Sequence, residues 1–280
     1  MTTNGTNPRP VGLEHLSLYE DPIPVFIGAA AGAGADSICL SVNHPGVLDP
    51  KSLRDSLSRI ADANLRVSMG DGFLLNAGEN LDGLKRHLDT LIQFGAPYAN
   101  ACAFEPDETA VRNPGLIQEQ LGDFTRLAQA AGVGVLIEFT PLSHVPSLAA
   151  AAELVAQINQ PNLKIMVDTL HLARAGEGPD DIANIDSTLF GYCQLSDGPL
   201  GAMSLGAYMA EAIYNRAIPG DGEFPLERIL ALLPDDITIS AEVPLQSLKD
   251  AGVSPEDRAR RIITGSRRVL EGAHRQSQNA

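Results

Sequence analysis

The chain has 280 residues, 44% of them hydrophobic, enough to bury a sizeable core and to exclude wholesale disorder. Its 35 acidic and 20 basic side chains leave a formal net charge of −15, which repels a phosphate backbone and argues against nucleic acid as main partner. No apolar run approaches the roughly 20 residues of a membrane-spanning helix, and the start MTTNGTNPRPVG lacks the hydrophobic stretch of a secretory signal.

In chain order, residues 1–12 read as a disordered lead and residues 13–275 as one domain. The first strand is predicted at 14–18 and the second at 37–42, with the Ala/Gly-rich run Gly28 to Gly34 (GAAAGAG) packed in a helix between them. Asp49 caps a predicted helix over 50–63, with Leu53, Leu57 and Ile60 on one face. A strand at 66–69 leads to a helix at 80–94, marked by Leu81, Leu84, Leu88, Leu91 and Ile92. After a strand at 98–103, Asn113 and Pro114 open a helix reaching about Ala131. Strands follow at 133–139, 164–167, 190–195 and 237–243, with helices at 147–158 and 255–270. Each strand is short and apolar, as expected of strands buried on both faces. Cys39, Cys102 and Cys193 are odd in number and widely spaced, so neither a disulfide framework nor a CxxC zinc knuckle is expected, and a reducing cytoplasm is the expected compartment.

Eight strands alternating with helices, without a Ser/Gly-rich linker, predict an α/β fold of the (β/α)8 TIM barrel type. The rival is a doubly wound open sheet. It would carry a GxGxxG turn after its first strand, whereas GAAAGAG falls in or at the end of a helix.

Active sites of such barrels form at the C-terminal ends of the strands. Four polar residues interrupt apolar runs there: Glu138 in VGVLIEF, Asp168 in KIMVD, Gln194 in FGYCQL and Glu242 in ITISAEV. Three carboxylates buried together call for a cation. An all-oxygen ligand set of Glu138, Asp168, Gln194 and Glu242 favours one Mn²⁺ or Mg²⁺, with Co²⁺ a third candidate. His171 lies three residues beyond Asp168, where it is either a substrate-contacting catalytic group or a structural hydrogen bonder. Arg174 on the same stretch either binds an anionic or hydroxyl-rich substrate or pairs with an acid. His144, in EFTPLSH, is a further substrate-contact candidate or a surface-loop histidine. Arg216, a substrate-contact candidate, and Glu223 flank the turn Pro219-Gly220-Asp221-Gly222, which either covers the pocket mouth or is explained by turn chemistry alone. His15 and Asp71 stand near earlier strand ends as pocket-lining candidates.

The segments IEFTP, VDTLHLAR, CQLSD, RAIPGDGEFPL and SAEVP together resemble the xylose isomerase-like TIM-barrel superfamily, most strongly between Gly132 and Val243. That superfamily includes sugar isomerases and epimerases, hydroxypyruvate isomerase, inosose dehydratase, 3-dehydroshikimate dehydratase and endonuclease IV. The resemblance implies metal positions at Glu138, Asp168, Gln194 and Glu242 and a substrate contact at His171. Many epimerases of the superfamily have histidine where this chain has Gln194. Glutamine there, with QLSDGPL and PGDGEFPL, is more similar to the hydroxypyruvate isomerase and dehydratase branches. An acidic chain with six scattered histidines does not match the histidine-rich three-zinc cluster of endonuclease IV.

The leading expectation is a metal-dependent sugar or keto-acid isomerase or epimerase that removes a proton next to a carbonyl, with Glu138 and Glu242 as acid/base pair. The alternative is a dehydratase resembling 3-dehydroshikimate dehydratase, with His171 as acid for the departing water. A non-catalytic metabolite-binding barrel is the third reading. The expected partner is a small polyhydroxylated or keto-acid molecule, with no nucleic acid or membrane, and a homo-oligomer is compatible with the Ala- and Leu-rich helices.

Overall fold

The computed structural model describes residues 9–75, 81–105, 107 and 109–279. Residues 1–8 of the expected lead lie outside that set, as does Asn80 of the expected 80–94 helix. The strands are β1 (Val11–Leu13), β2 (Ser37–Ser41), β3 (Arg66–Leu74), β4 (Tyr98–Cys102), β5 (Gly134–Glu138), β6 (Leu163–Asp168), β7 (Phe190–Leu195) and β8 (Thr238–Ala241). Each pairs in parallel with the next, and β8 pairs with β1 to close the barrel. Helices separate the strands in sequence, and no helix among the described residues is long and apolar enough to cross a membrane.

Two strands differ from expectation. The first lies at Val11–Leu13 rather than at 14–18, so two residues assigned to the lead belong to the sheet, and His15–Leu18 is a 3-10 turn. Gly12 is part of the strand because space inside the barrel demands it: a Cβ there would meet the Oγ atoms of Ser240 and Ser37 at 2.7 Å. The third strand runs on to Leu74 through Gly70-Asp71-Gly72, past its expected end at 69. Its pairing with β4 shifts between Gly70 and Phe73, and Gly72 has φ of 104°, so the irregularity is a bulge that glycine permits.

The expected caps at Asp49 and Asn113 are present, and Ser147 adds a third. Asp49 accepts from the Ser52 N–H at 2.8 Å, Asn113 from Leu116 at 3.1 Å and Ser147 from Ala150 at 3.2 Å. GAAAGAG closes the helix Ile23–Ala33, and Gly34 at φ 77° ends it. The C-terminal helix, Pro255–Asn279, outruns its expected end at 270.

The main apolar core lies between the barrel and its helices and includes Phe26, Phe73, Phe124 and Phe139. A second cluster, Cys39, Met69, Leu136, Met166 and Tyr192, fills the barrel interior. It forms a packed floor, and the polar strand ends stand beside and beyond it.

Candidate active site

Strand register brings the polar residues together. Glu138 ends β5 and is level with Met166 of β6; Asp168 ends β6 and pairs with Gln194 of β7. Glu242 follows β8, its N–H donating to the Leu195 carbonyl at 3.1 Å. All four side chains are buried, Asp168 completely. Oδ1 of Asp168 also accepts the Leu170 N–H at 2.7 Å, so the same carboxylate caps the short helix Thr169–Arg174 that carries His171.

The His171 Nε2 atom lies 3.5 Å from Glu138 Oε1 and 3.6 Å from Asp168 Oδ2. Ligand atoms of Glu138, Asp168 and His171 all fall within 4.8 Å of one another, and this buried Glu/Asp/His cluster can hold a metal ion. On its other side, Nδ1 is 2.7 Å from the hydroxyl of Tyr208, which in turn is 2.6 Å from Thr140 Oγ1. Two side chains outside the expected site thus fix the imidazole.

Arg216, expected as a substrate contact, lies buried among the carboxylates. Its Nη1 is 2.7 Å from Asp168 Oδ2 and its Nη2 is 2.7 Å from Glu242 Oε2. Burial works against the charge of Arg216, but Asp168 and Glu242 overcome it and raise its pKa. Burial likewise pushes on Asp168, whose carboxyl is nonetheless held below its usual value by Arg216, His171 and the Leu170 N–H. For Glu242 burial prevails over the pull of Arg216, and its carboxyl is raised.

Beneath the mouth, Gln194 Nε2 donates to Glu242 Oε1 at 3.2 Å and to Glu14 Oε2 at 3.4 Å. Glu14, 1% exposed, also accepts from the Tyr192 hydroxyl at 2.7 Å. Asn100 Nδ2 donates to Asp71 Oδ1 at 2.8 Å and to Glu138 Oε2 at 3.1 Å. Asp71 therefore joins the network, its carboxyl pushed up to about 7 by burial and by the charge of Glu138.

The remaining candidates stand apart from this cluster. Arg174 makes a two-point pair with Glu211, at 2.8 and 2.7 Å, donates to the Pro199 carbonyl and lies over the Phe224 ring. Its guanidinium braces a loop, the acid-pairing alternative of the sequence reading. His144 Nε2 is 3.9 Å from Glu105 Oε2. Glu223 accepts the Leu200 N–H at 2.7 Å. His15 accepts the Ser41 N–H on Nδ1 and packs edge-on against His44.

Glu14, Asn100, Tyr208 and Thr140 escaped sequence reasoning. A signal for Tyr208 exists: Ser204 caps the helix Leu205–Tyr214, in which Leu205, Tyr208 and Ala212 repeat at helical spacing. Glu14 was hidden by the misplacement of β1.

The donors suit a divalent cation. Asp168 and Glu242 share the one Arg216 guanidinium with Glu138 close by, so buried carboxyl groups outnumber the buried cation beside them. Oε1 of Gln194 is buried with no donor among the described residues, an oxygen suited to a hard cation.

A closed eight-stranded barrel with an acidic, metal-competent cluster at its C-terminal mouth defines a class of barrel enzymes. The family model of the xylose isomerase-like TIM barrel matches residues 27–268, and the chain belongs to this family. It is 27% identical over 220 residues to a 3-dehydroshikimate dehydratase of Pseudomonas aeruginosa and 25% identical over 226 residues to one of Pseudomonas putida. Each match covers 75% of this chain and 33% of the relative, so the chain spans about a third of the length of these curated relatives. Among solved structures, the IolI protein with a bound zinc atom aligns with TM-score 0.78 at 16% identity, covering 94% of this chain and 98% of that one. The probable 3-dehydroshikimate dehydratase AsbF of Bacillus anthracis aligns with TM-score 0.72 at 15% identity, over 89% and 97%. A D-psicose 3-epimerase of Clostridium cellulolyticum, solved with D-tagatose, aligns with TM-score 0.72 at 14% identity, over 93% and 99%. These structural likenesses establish the shared fold.

Proposed function

We propose that the chain is a divalent-metal-dependent dehydratase acting on a small cyclic, hydroxylated keto acid of the 3-dehydroshikimate type. One observation carries the choice over the isomerase reading: both curated relatives, matched across three quarters of this chain, are 3-dehydroshikimate dehydratases. The acidic cluster with His171 at its edge supports the same chemistry.

Glu138, Asp168, Gln194 and Glu242 would hold the cation through side-chain oxygens, with Mn²⁺ or Mg²⁺ favoured by that donor set. When bound, the cation supplies Lewis-acid stabilisation of the charge developing on a substrate carbonyl oxygen, worth several kcal/mol. The protein's own residues move the protons. Glu242 and Glu138 would take the proton from the carbon next to the carbonyl. His171 Nε2 is the donor to the departing β-hydroxyl, with Tyr208 holding Nδ1. One C–H and one C–O bond break, a C=C bond forms, and water leaves. In a ring already carrying a carbonyl and a double bond, enolisation then yields an aromatic product. Arg216 keeps Asp168 and Glu242 in place throughout.

The paired carboxylates Glu138 and Glu242 also favour a second reading, isomerisation or epimerisation, in which the proton returns to carbon and no hydroxyl is lost. Incubation with 3-dehydroshikimate and Mn²⁺ or Mg²⁺ separates the two. The dehydratase reading expects rising ultraviolet absorbance from a dihydroxybenzoate. Solvent deuterium entering ketose or keto-acid substrates, with no aromatic product from dehydroshikimate, replaces it with the isomerase reading.

A further inference from the structure

Two primary amides in the barrel are held in the same way. Asn100 on β4 spends its amide N–H groups on Asp71 and Glu138. Gln194 on β7 spends its own on Glu14 and Glu242. In each case one acceptor is a carboxylate of the proposed acid/base pair, and the other is a carboxylate without a role in the chemistry. Each amide is left with a buried carbonyl oxygen, Asn100 Oδ1 or Gln194 Oε1, that meets no donor among the described residues.

Two carboxylates flanking one amide settle which end of it faces them. Turned by 180°, the amide would set its oxygen against the carboxyl oxygens of both groups and lose the two N–H donations it makes to them. For Gln194 the outer acceptor is itself anchored. Tyr192 lies two residues before Gln194 on the same strand and inward face; it donates to Glu14 Oε1, and its oxygen is 3.0 Å from Ser68 Oγ. Glu14 thereby offers its other oxygen to Gln194. Glu14 is 1% exposed and Tyr192 is fully buried, so the arrangement lies away from bulk water.

We infer that Glu14 is a positioning residue: it locks the Gln194 amide so that Oε1, rather than Nε2, is presented to the divalent cation. This rests on the metal site proposed above and adds a supporting group to it. Groups that orient metal ligands through hydrogen bonds commonly govern metal affinity by about 10- to 100-fold.

The test is Mn²⁺ titration by calorimetry on the full chain, which reads affinity independently of any reaction. Gln194→Ala is expected to weaken Mn²⁺ binding, and Glu14→Met, similar in volume but without an acceptor, to weaken it by about 10- to 100-fold. The double variant is expected to bind no more weakly than Gln194→Ala alone, because Glu14 acts through that amide. Glu14→Gln keeps an acceptor oxygen for Gln194 and is expected to stay within a few-fold of the parent. Losses that add in the double variant, or Glu14→Met binding as the parent does while Gln194→Ala weakens, would overturn the inference. Unchanged affinity in Gln194→Ala would instead remove Gln194 from the metal site. Should Glu14→Met fail to fold, the Mg²⁺-loaded parent and Glu14→Gln still decide the matter by NMR. The Gln194 side-chain NH₂ signals, identified by their loss in Gln194→Ala, are expected to be protected from solvent exchange and to shift in Glu14→Gln. Fast-exchanging signals that do not shift would contradict the lock.

Discussion

Arg216 reaches Asp168 with one guanidinium nitrogen and Glu242 with the other, both at 2.7 Å, and all three side chains are buried. Removing one partner of such a group leaves uncompensated buried charge, at a cost of about 3–5 kcal/mol. Arg216→Met is therefore expected to lower stability by that order in urea denaturation without added metal. Mn²⁺ is expected to stabilise this variant more than the parent, because the cation meets a larger charge excess. Equal stabilisation of both proteins would show that guanidinium and cation do not share the carboxylates.

Tyr208 sets the direction of His171. Tyr208→Phe removes the hydroxyl 2.7 Å from Nδ1 and leaves the ring packing intact. The expected stability loss is about 0.5–1.5 kcal/mol, typical of one hydrogen bond. The expected loss in kcat is about 10²-fold, the lower end of what a general acid contributes. Steady-state kinetics beside thermal melting check the split; a melting-point change without a change in kcat would make Tyr208 a packing residue.

Two buried groups oppose one another in pH dependence. Burial and the charge of Glu138 push the Asp71 carboxyl from 3.8 up to about 7, so between those values the folded chain keeps a proton that the unfolded chain has released. Stability from this group is present below the lower value and lost as pH rises through about 7. His15 runs the other way. Burial and the neighbouring His44 push it from 6.5 down to about 3, so its contribution is present above the upper value and lost as pH falls through that window. Chemical denaturation from pH 4 to 7 reads each contribution as a change from the parent: the Asp71→Asn profile is expected to fall less steeply with pH than the parent's, and the His15→Gln profile more steeply. A variant profile parallel to the parent would remove that residue from the balance.

The strands beyond β1 and most long helices are legible in the sequence because apolar runs, caps and glycine stops agree there. Legibility fails where a residue answers to something distant in sequence. Gly12 looks like loop chemistry until Ser37 and Ser240 press on it from neighbouring strands. The strand expected to end at 69 runs on through Gly70-Asp71-Gly72, with Leu91 and Val42 packed where a Gly70 Cβ would stand. In the site, Glu138, Asp168, Gln194 and Glu242 are legible because polar groups end apolar strands. The roles of Glu14, Asn100 and Tyr208 depend on partners 29 to 180 residues away in sequence, which no local pattern records.

Asp197 organises the turn beside the mouth. Its Oδ1 accepts N–H groups from Gly198 and Phe224, at 2.9 and 3.0 Å, and its Oδ2 accepts that of Gly220 at 2.9 Å. Asp197→Ala strands these donors, at about 1–3 kcal/mol for a buried unsatisfied group. Gly222→Ala attacks the same knot, since its Cβ would stand 2.3 Å from Asp197 Oδ1. Both variants are expected to melt earlier and to become more sensitive to proteolysis near Pro219. Melting curves that match the parent would show the turn to be held by other contacts.

Diffraction from Mn²⁺-soaked crystals at the manganese absorption edge tests most directly whether Glu138, Asp168, Gln194 and Glu242 hold a divalent cation. One anomalous peak bonded to oxygens of these four side chains is the predicted result. A map with no peak there, or with its peak on other residues, would contradict the account.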